Sequence, residues 1–384
     1  MEDPRATLAA NLLRLRTARG LTQGFLADAA GLSRAGYRNI ETGVASPRSG
    51  TVQALARALR VPTGELVRPV ERLGGVRFRS SRRLNCRETV VASAATWLGA
   101  YRQLEETLDS RVPFAFKDAV RSQGRDEGAS AAELAASIRR QLRLSDGEPI
   151  RNICGLLESS GVKVLPLPVA SEGFFGLSVS DEGKGPAVVV NTWERISVER
   201  WIFTAAHELG HLLLHADAFD PSDPTDRPDE EKEADRFAAA FLLPDAGFRK
   251  EWSASAGLPF VERVLTIKRM FRVSYRTVLF RLSGSSSLGK SVWARFKAEY
   301  KARYRSPLLG HEEPERLLPE EFTPAPGRAA EEPDRLSSRD FTEDRFRLLV
   351  RRAVEAEQIT LSRAGEMLGL RLGEMRALAA SWVD

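Results

Sequence analysis

Apolar residues recur at helical spacing through the first sixty-odd positions and break at glycines. Leu8, Leu12 and Leu15 predict a first helix that exits at Gly20, and Thr22 caps a second that runs to Ala30. Gly31-Leu32-Ser33 is a tight turn, with Ser33 capping a third helix; Val52, Leu55, Ala56 and Leu59 mark a fourth, and Val61-Pro62-Thr63 leads into a fifth at Leu66. Two short helices joined across a glycine turn can lay the second in a DNA major groove. The expectation is a five-helix bundle of helix-turn-helix type.

Farther along, Val91, Ala94, Ala95, Leu98, Tyr101, Leu104 and Leu108 form a helical stripe suited to packing or a dimer seam, and another helix follows over Ala131 to Leu142. The period then shortens. Val162 to Leu167, Phe174 to Ser180 and Ala187 to Asn191 read as three short strands, a small sheet whose edge could take an extended peptide. Helical spacing returns with two long helices near 207 and 237, then with a helix-turn-helix shape around Val273-Ser274. Phe341 to Trp382 closes the chain as a helical bundle, with a cap at Ile359-Thr360-Leu361-Ser362 and Ala364, Met367, Leu368, Leu370 and Leu372 as its core. No internal repeat is evident. Connectors are expected at Ser122 to Ser130, at the Asp- and Pro-rich Asp217 to Asp229, and at the Pro- and Glu-rich Gly310 to Leu336. The fold class expected is mainly α with a small α+β part. It divides into a helix-turn-helix domain (8–67), a helical connector (68–137), a central domain with the short sheet and two long helices (138–282), a linker-rich region (283–340) and a C-terminal helical bundle (341–384).

The chemistry gathers in His207-Glu208-Leu209-Gly210-His211, which reads HExxH. On a helix the two histidines lie one turn apart on one face, so their imidazoles can converge on one Zn2+ with Glu208 beside them as general base. A catalytic zinc needs a third protein ligand. Downstream, Glu233, Phe237 and Phe241 share one stripe, which aims Glu233 at the interior; Glu230 also fits the period, and a solvated acidic helix start is the plainer alternative. His215 continues the histidine face one turn on and reads as a packing residue or a partner to a ligand. Tyr275 is available as an oxyanion stabiliser, but the pattern does not place it.

These residues carry two resemblances. The run RWIFTAAHELGHLLLH followed by EKEADRFAAAFLLP, together with GLLESSGVKVLPLP, FFGLSVS and GPAVVVN upstream, resembles the ImmA/IrrE family of bacterial metallopeptidases. The resemblance implies His207, His211 and Glu233 as metal ligands, Glu208 as the base, and a repressor-type protein as substrate. LRTARGLTQGFLADAAGLSRAGYRNIETGVASPRSGTVQALARAL is similar to the XRE/Cro helix-turn-helix family. That likeness implies an ion pair between Arg16 and Glu41, a phosphate contact from Gln23, and an operator-facing set of Ser33, Arg34, Ala35, Arg38 and Asn39. Gly36 departs from the family pattern, since a glycine inside a helix costs about 1 kcal/mol against alanine.

Charge separates the two regions. Residues 1–84 hold fifteen arginines and six acidic residues, net +9, whereas 207–235 are net −8 and the whole chain is +5. The basic end suits phosphate backbones. Arg77-Phe78-Arg79-Ser80-Ser81-Arg82-Arg83 extends either that DNA surface or an ordinary solvated linker. Cys86 and Cys154 fall in no paired motif, no apolar run spans a membrane, and the N-terminus has no export pattern, so a cytoplasmic protein is expected. The function these features imply is a DNA-binding regulator, a possible homodimer on double-stranded operator DNA, with a zinc endopeptidase that cleaves itself or a partner repressor. The alternative is a regulator whose peptidase-like domain is a non-catalytic ligand or metal sensor.

Overall fold

The computed structural model describes residues 3–18, 21–67, 73, 75–80, 87–123, 130–171, 173–181, 183, 185–215, 228–285, 289, 291–308, 313–314 and 336–382. Among them are eighteen α-helices and one four-stranded sheet, mainly α as expected. No helix among these residues is long and apolar enough to cross a membrane. Most or all of the three expected connectors, and Cys86, lie outside the described residues; Cys154 is buried. The chain forms two compact units, one of residues 1–73, 81–110 and 350–384, the other of 74–80 and 111–349.

In the first unit α1 (Pro4–Ala18), α2 (Gln23–Ala29), α3 (Arg34–Glu41), α4 (Ser49–Leu59) and α5 (Thr63–Val67) enclose Leu8, Leu12, Leu15, Leu26, Tyr37, Leu55, Leu59 and Leu66. The caps act as the sequence implies. Thr22 Oγ1 accepts the Phe25 N–H at 3.1 Å, Gly31 takes φ 67°, and Ser33 Oγ accepts the Gly36 N–H at 3.0 Å. A side chain at Gly36 would bring a Cβ to 3.2 Å from that same Oγ, which gives this helix-interior glycine a local reason. The unit is completed by α6 (Arg87–Thr107), and by α17 (Leu361–Leu368) and α18 (Leu372–Ala380) near the C-terminus.

The second unit is built on a sheet of order β1-β3-β4-β2. Its members β2 (Lys163–Leu167), β3 (Phe174–Asp181) and β4 (Gly185–Asn191) were expected; β1 (Val76–Ser80) was not. This segment, expected as a DNA-facing extension or a solvated linker, pairs antiparallel with β3 over Val76–Ser80, Arg77 opposite Ser178 and Arg79 opposite Gly176, while Ser81 to Arg83 lie outside the described residues. Its short alternation of charge and apolarity is too brief a signal to read as a strand. β3 is therefore an inner strand, and the edges of the sheet are β1 and β2.

Against the sheet lies α10 (Val198–Leu214), started by Ser197, whose side chain accepts the Arg200 N–H at 3.3 Å. Gly176 allows the close approach: a Cβ there would fall 2.6 Å from Thr204 Cγ2 and 3.0 Å from Glu208 Oε1. On the other side of α10 packs α11 (Pro228–Leu242), where Gly210 leaves room for Phe237. Buried Arg139 of α8 (Ala131–Gln141) fixes the end of α11, donating to the carbonyls of Phe241 at 2.8 Å, Ser145 at 2.8 Å and Glu148 at 2.6 Å.

Two acids in this unit make its stability depend on pH. Glu158, on α9 (Ile153–Ser159), is pushed up to about 7 by burial and by nearby Glu343, and Glu343 is pushed up to about 7 chiefly by its own burial. A carboxyl raised in the folded state stabilises most below its ordinary value of 4.5 and loses that contribution as pH rises toward 7. Glu158→Gln is thus expected to unfold in denaturant like the parent at pH 5, yet to be the more stable by about 1 to 2 kcal/mol at pH 8. An equal difference at both pH values would contradict this.

Candidate active site

One turn of α10 brings His207 and His211 together, 0% and 1% exposed, with their Nε2 atoms 2.9 Å apart. The third group that meets them is Glu231, at the start of α11: its Oε2 lies 3.3 Å from His207 Nε2 and its Oε1 3.1 Å from His211 Nε2. Among the described residues these three form the group able to hold a metal ion. Glu233, the carboxylate expected here from the sequence, stands elsewhere. It is half exposed and its Oε2 lies 3.0 Å from His215 Nε2.

The outer contacts give each imidazole a direction. His207 Nδ1 is 2.8 Å from Asp235 Oδ1, and His211 Nδ1 is 3.0 Å from His215 Nδ1. With Nε2 of each turned toward a cation, Nδ1–H of His207 donates to Asp235, Nδ1–H of His211 donates to His215, and Nε2–H of His215 donates to Glu233. Every ring nitrogen then has one role. Glu231 and Asp235 are one helical turn apart and address the two nitrogens of the same ring, a spacing in the sequence that could have singled them out.

Electrostatics match the geometry. Burial drives His211 down to about 3, so its ring is neutral, the form that can ligate a metal. For Glu231 burial works upward, but the hydrogen bonds with His207 and His211 outweigh it and hold the carboxyl well below the usual range. Arg77 of β1 adds positive charge beside this group, bonded to Glu230 and 3.5 Å from Glu231 Oε1. Glu208 is fully buried, with Oε1 close against Gly176 of β3. A tetrahedral zinc with ligands at 2.0 to 2.2 Å separates them by roughly 3.3 Å, close to the spacings of 2.9 to 3.3 Å found.

In the first unit, Arg16 and Glu41 pair with two hydrogen bonds, Nε to Oε1 at 2.5 Å and Nη2 to Oε2 at 3.2 Å. Tyr37 also donates to Glu41, at 2.9 Å. Gln23 joins this cluster and donates to Glu41 Oε2 at 2.6 Å. Ser33, Arg34, Ala35, Arg38 and Asn39 are all exposed at the start and along one side of α3. Tyr275 is buried and stacked on Phe296 at 5.2 Å between ring centres.

Residues 12–66 match a helix-turn-helix family model, and residues 157–283 match the model of the IrrE N-terminal-like domain. The chain joins an XRE-type helix-turn-helix to an IrrE/ImmA-like segment. No curated protein matches it. The IrrE-like match takes in β2, β3, β4, α10 and α11, hence all three metal-capable side chains, and that family is one of metallopeptidases. Two parts packed on it come from outside the matched residues: α8, which holds α11, and β1, which brings Arg77 to Glu231.

Proposed function

We propose that the chain is a DNA-binding transcriptional regulator whose IrrE-like domain is a zinc-dependent endopeptidase, acting on the chain itself or on a repressor-type protein. The observation that carries this reading is the convergence of His207, His211 and Glu231 at 2.9 to 3.3 Å, each histidine steadied through its other nitrogen. Two neutral imidazoles and one carboxylate are the donor set of catalytic zinc sites, and they leave a fourth position open. Zinc bound there would act as a Lewis acid on a peptide carbonyl and make water a stronger acid.

The chain's own residues supply the rest. Glu208, next to His207 on α10 and held in a dry setting, takes a proton from the attacking water and returns it to the leaving amine. Asp235, and His215 with Glu233, keep the two rings from turning. Arg34, Ala35, Arg38 and Asn39 face the operator, with Ser33 at the helix start near a phosphate. Arg16 and Glu41 hold the bundle that presents them.

Metal analysis of the purified full chain tests this reading. One zinc per chain is expected, retained while the protein is bound to a duplex from upstream of its own gene. Chain that binds such a duplex with no stoichiometric metal would remove the enzyme half of the proposal.

A further inference from the structure

The C-terminal helices α17 and α18 repeat α2 and α3 position for position, 338 residues later. Thr22 and Thr360 cap the first helix of each pair, accepting the N–H groups of Phe25 and Arg363 at 3.1 and 3.2 Å. Each first helix ends at a glycine in the left-handed region, Gly31 at φ 67° and Gly369 at φ 68°. The next N–H, of Leu32 or Leu370, reaches back to Ala27 or Gly365 at 2.8 Å in both cases. Tyr37 and Met375 open the second helix by donating to the carbonyls of Ser33 and Arg371, again both at 2.9 Å. Burial coincides too: Leu26 and Ala27 match Ala364 and Gly365, and Tyr37 matches Met375. Only four of the nineteen residues 22–40 are identical to their counterparts, which is why the sequence showed no repeat.

A turn of this kind does not by itself make a reading head. The helices α13 (Phe260–Phe271) and α14 (Tyr275–Ser285) meet through a third one, with Arg272 at φ 53° and the Val273 N–H returning to Lys268 at 3.2 Å. There the residues standing where Arg34 and Arg38 stand are Tyr275 and Leu279, and both are buried. On α18 the four corresponding residues, Leu372, Gly373, Arg376 and Ala377, are all exposed, as Arg34, Ala35, Arg38 and Asn39 are on α3. Residues 360–382 carry three arginines against two glutamates, and Arg371 and Arg376 are exposed at the start and along this face of α18, placed to meet phosphates.

We propose that α17 and α18 form a second DNA-reading helix-turn-helix, with α18 presented to a major groove. Arg376 repeats Arg38 and offers two donors to a guanine edge. Leu372 replaces Arg34 and offers an apolar contact to a thymine methyl, while Arg371 replaces Ser33 at the helix start, where a phosphate is met. The second head therefore reads a different sequence from the first. Both heads are tied to α6: Thr89 donates to the Arg14 carbonyl at 3.4 Å, and Arg363 donates to Gln103 at 3.3 Å. Fourteen residues of helix separate those ties, about 21 Å. A single chain can then address two elements at a set spacing, with no second copy.

Selection of a randomised duplex library with the purified full-length chain tests this. The enriched duplexes are expected to hold two unlike elements at one fixed spacing. Arg371→Ala/Arg376→Ala should lose preference at one element only, with affinity about 5- to 150-fold lower. Its plot of log affinity against log salt should be flatter by about one for each phosphate that the variant no longer neutralises. Arg34→Ala/Arg38→Ala should lose the other element and keep this one. All four arginines are exposed, so an unchanged thermal midpoint will show that both variants fold. A selected site of one element, or a double variant at 371 and 376 with unchanged site and affinity, would overturn the proposal and leave α18 as a protein-docking face.

Discussion

Glu231→Gln is expected to strip stoichiometric zinc from the purified chain, while Glu233→Gln keeps it. The amide is nearly the same size but has no charge, and its nitrogen is no ligand, so His207 and His211 would be left as a two-imidazole site. The loss in zinc affinity should exceed the roughly 10- to 100-fold that removal of an outer partner costs, which is the effect expected for Asp235→Asn. For Glu233→Gln the effect should be smaller still, because it reaches the site only through His215 and then His211. Zinc content and a chelator competition for the three variants decide the matter. If Glu231→Gln retained zinc and Glu233→Gln lost it, the ligand would be Glu233, as the sequence stripe suggested.

That contrast marks where sequence reasoning stops. The histidine pair was legible because both residues sit on one helix, where a spacing of four fixes which face they share. The third carboxylate comes from another helix, and its identity depends on how α11 is rotated against α10. Glu233 and Glu231 both border the buried stripe of α11; the close packing of Gly210 against Phe237 and Ala234 sets the rotation that presents Glu231 and Asp235 to His207. Composition carries no trace of such an angle. Caps, by contrast, are local, and so Thr22, Ser33 and the five-helix order of the first domain could be read directly. β1 was missed because its partner strand lies about a hundred residues away and its own alternation lasts five residues. The C-terminal repeat was missed for a different reason: backbone geometry and burial are shared where side chains are not.

The role of Glu208 separates catalysis from sensing. Its carboxylate is buried against Gly176 and stands outside the group formed by His207, His211 and Glu231, so an amide in its place leaves the metal donors and the DNA-reading face intact. What the amide cannot do is accept a proton at neutral pH, and loss of a positioned base costs about 100- to 10,000-fold in rate. The decisive measurement is therefore cleavage of the chain itself, or of a co-expressed repressor-type protein, followed by gel and mass spectrometry in parent and Glu208→Gln protein with matched zinc content. The variant is expected to keep one zinc and its DNA affinity, with cleavage lower by at least about 100-fold and target genes no longer responding. Unchanged cleavage, or a normal transcriptional response from zinc-loaded Glu208→Gln protein, would contradict it, the latter by identifying the domain as a sensor that needs no base.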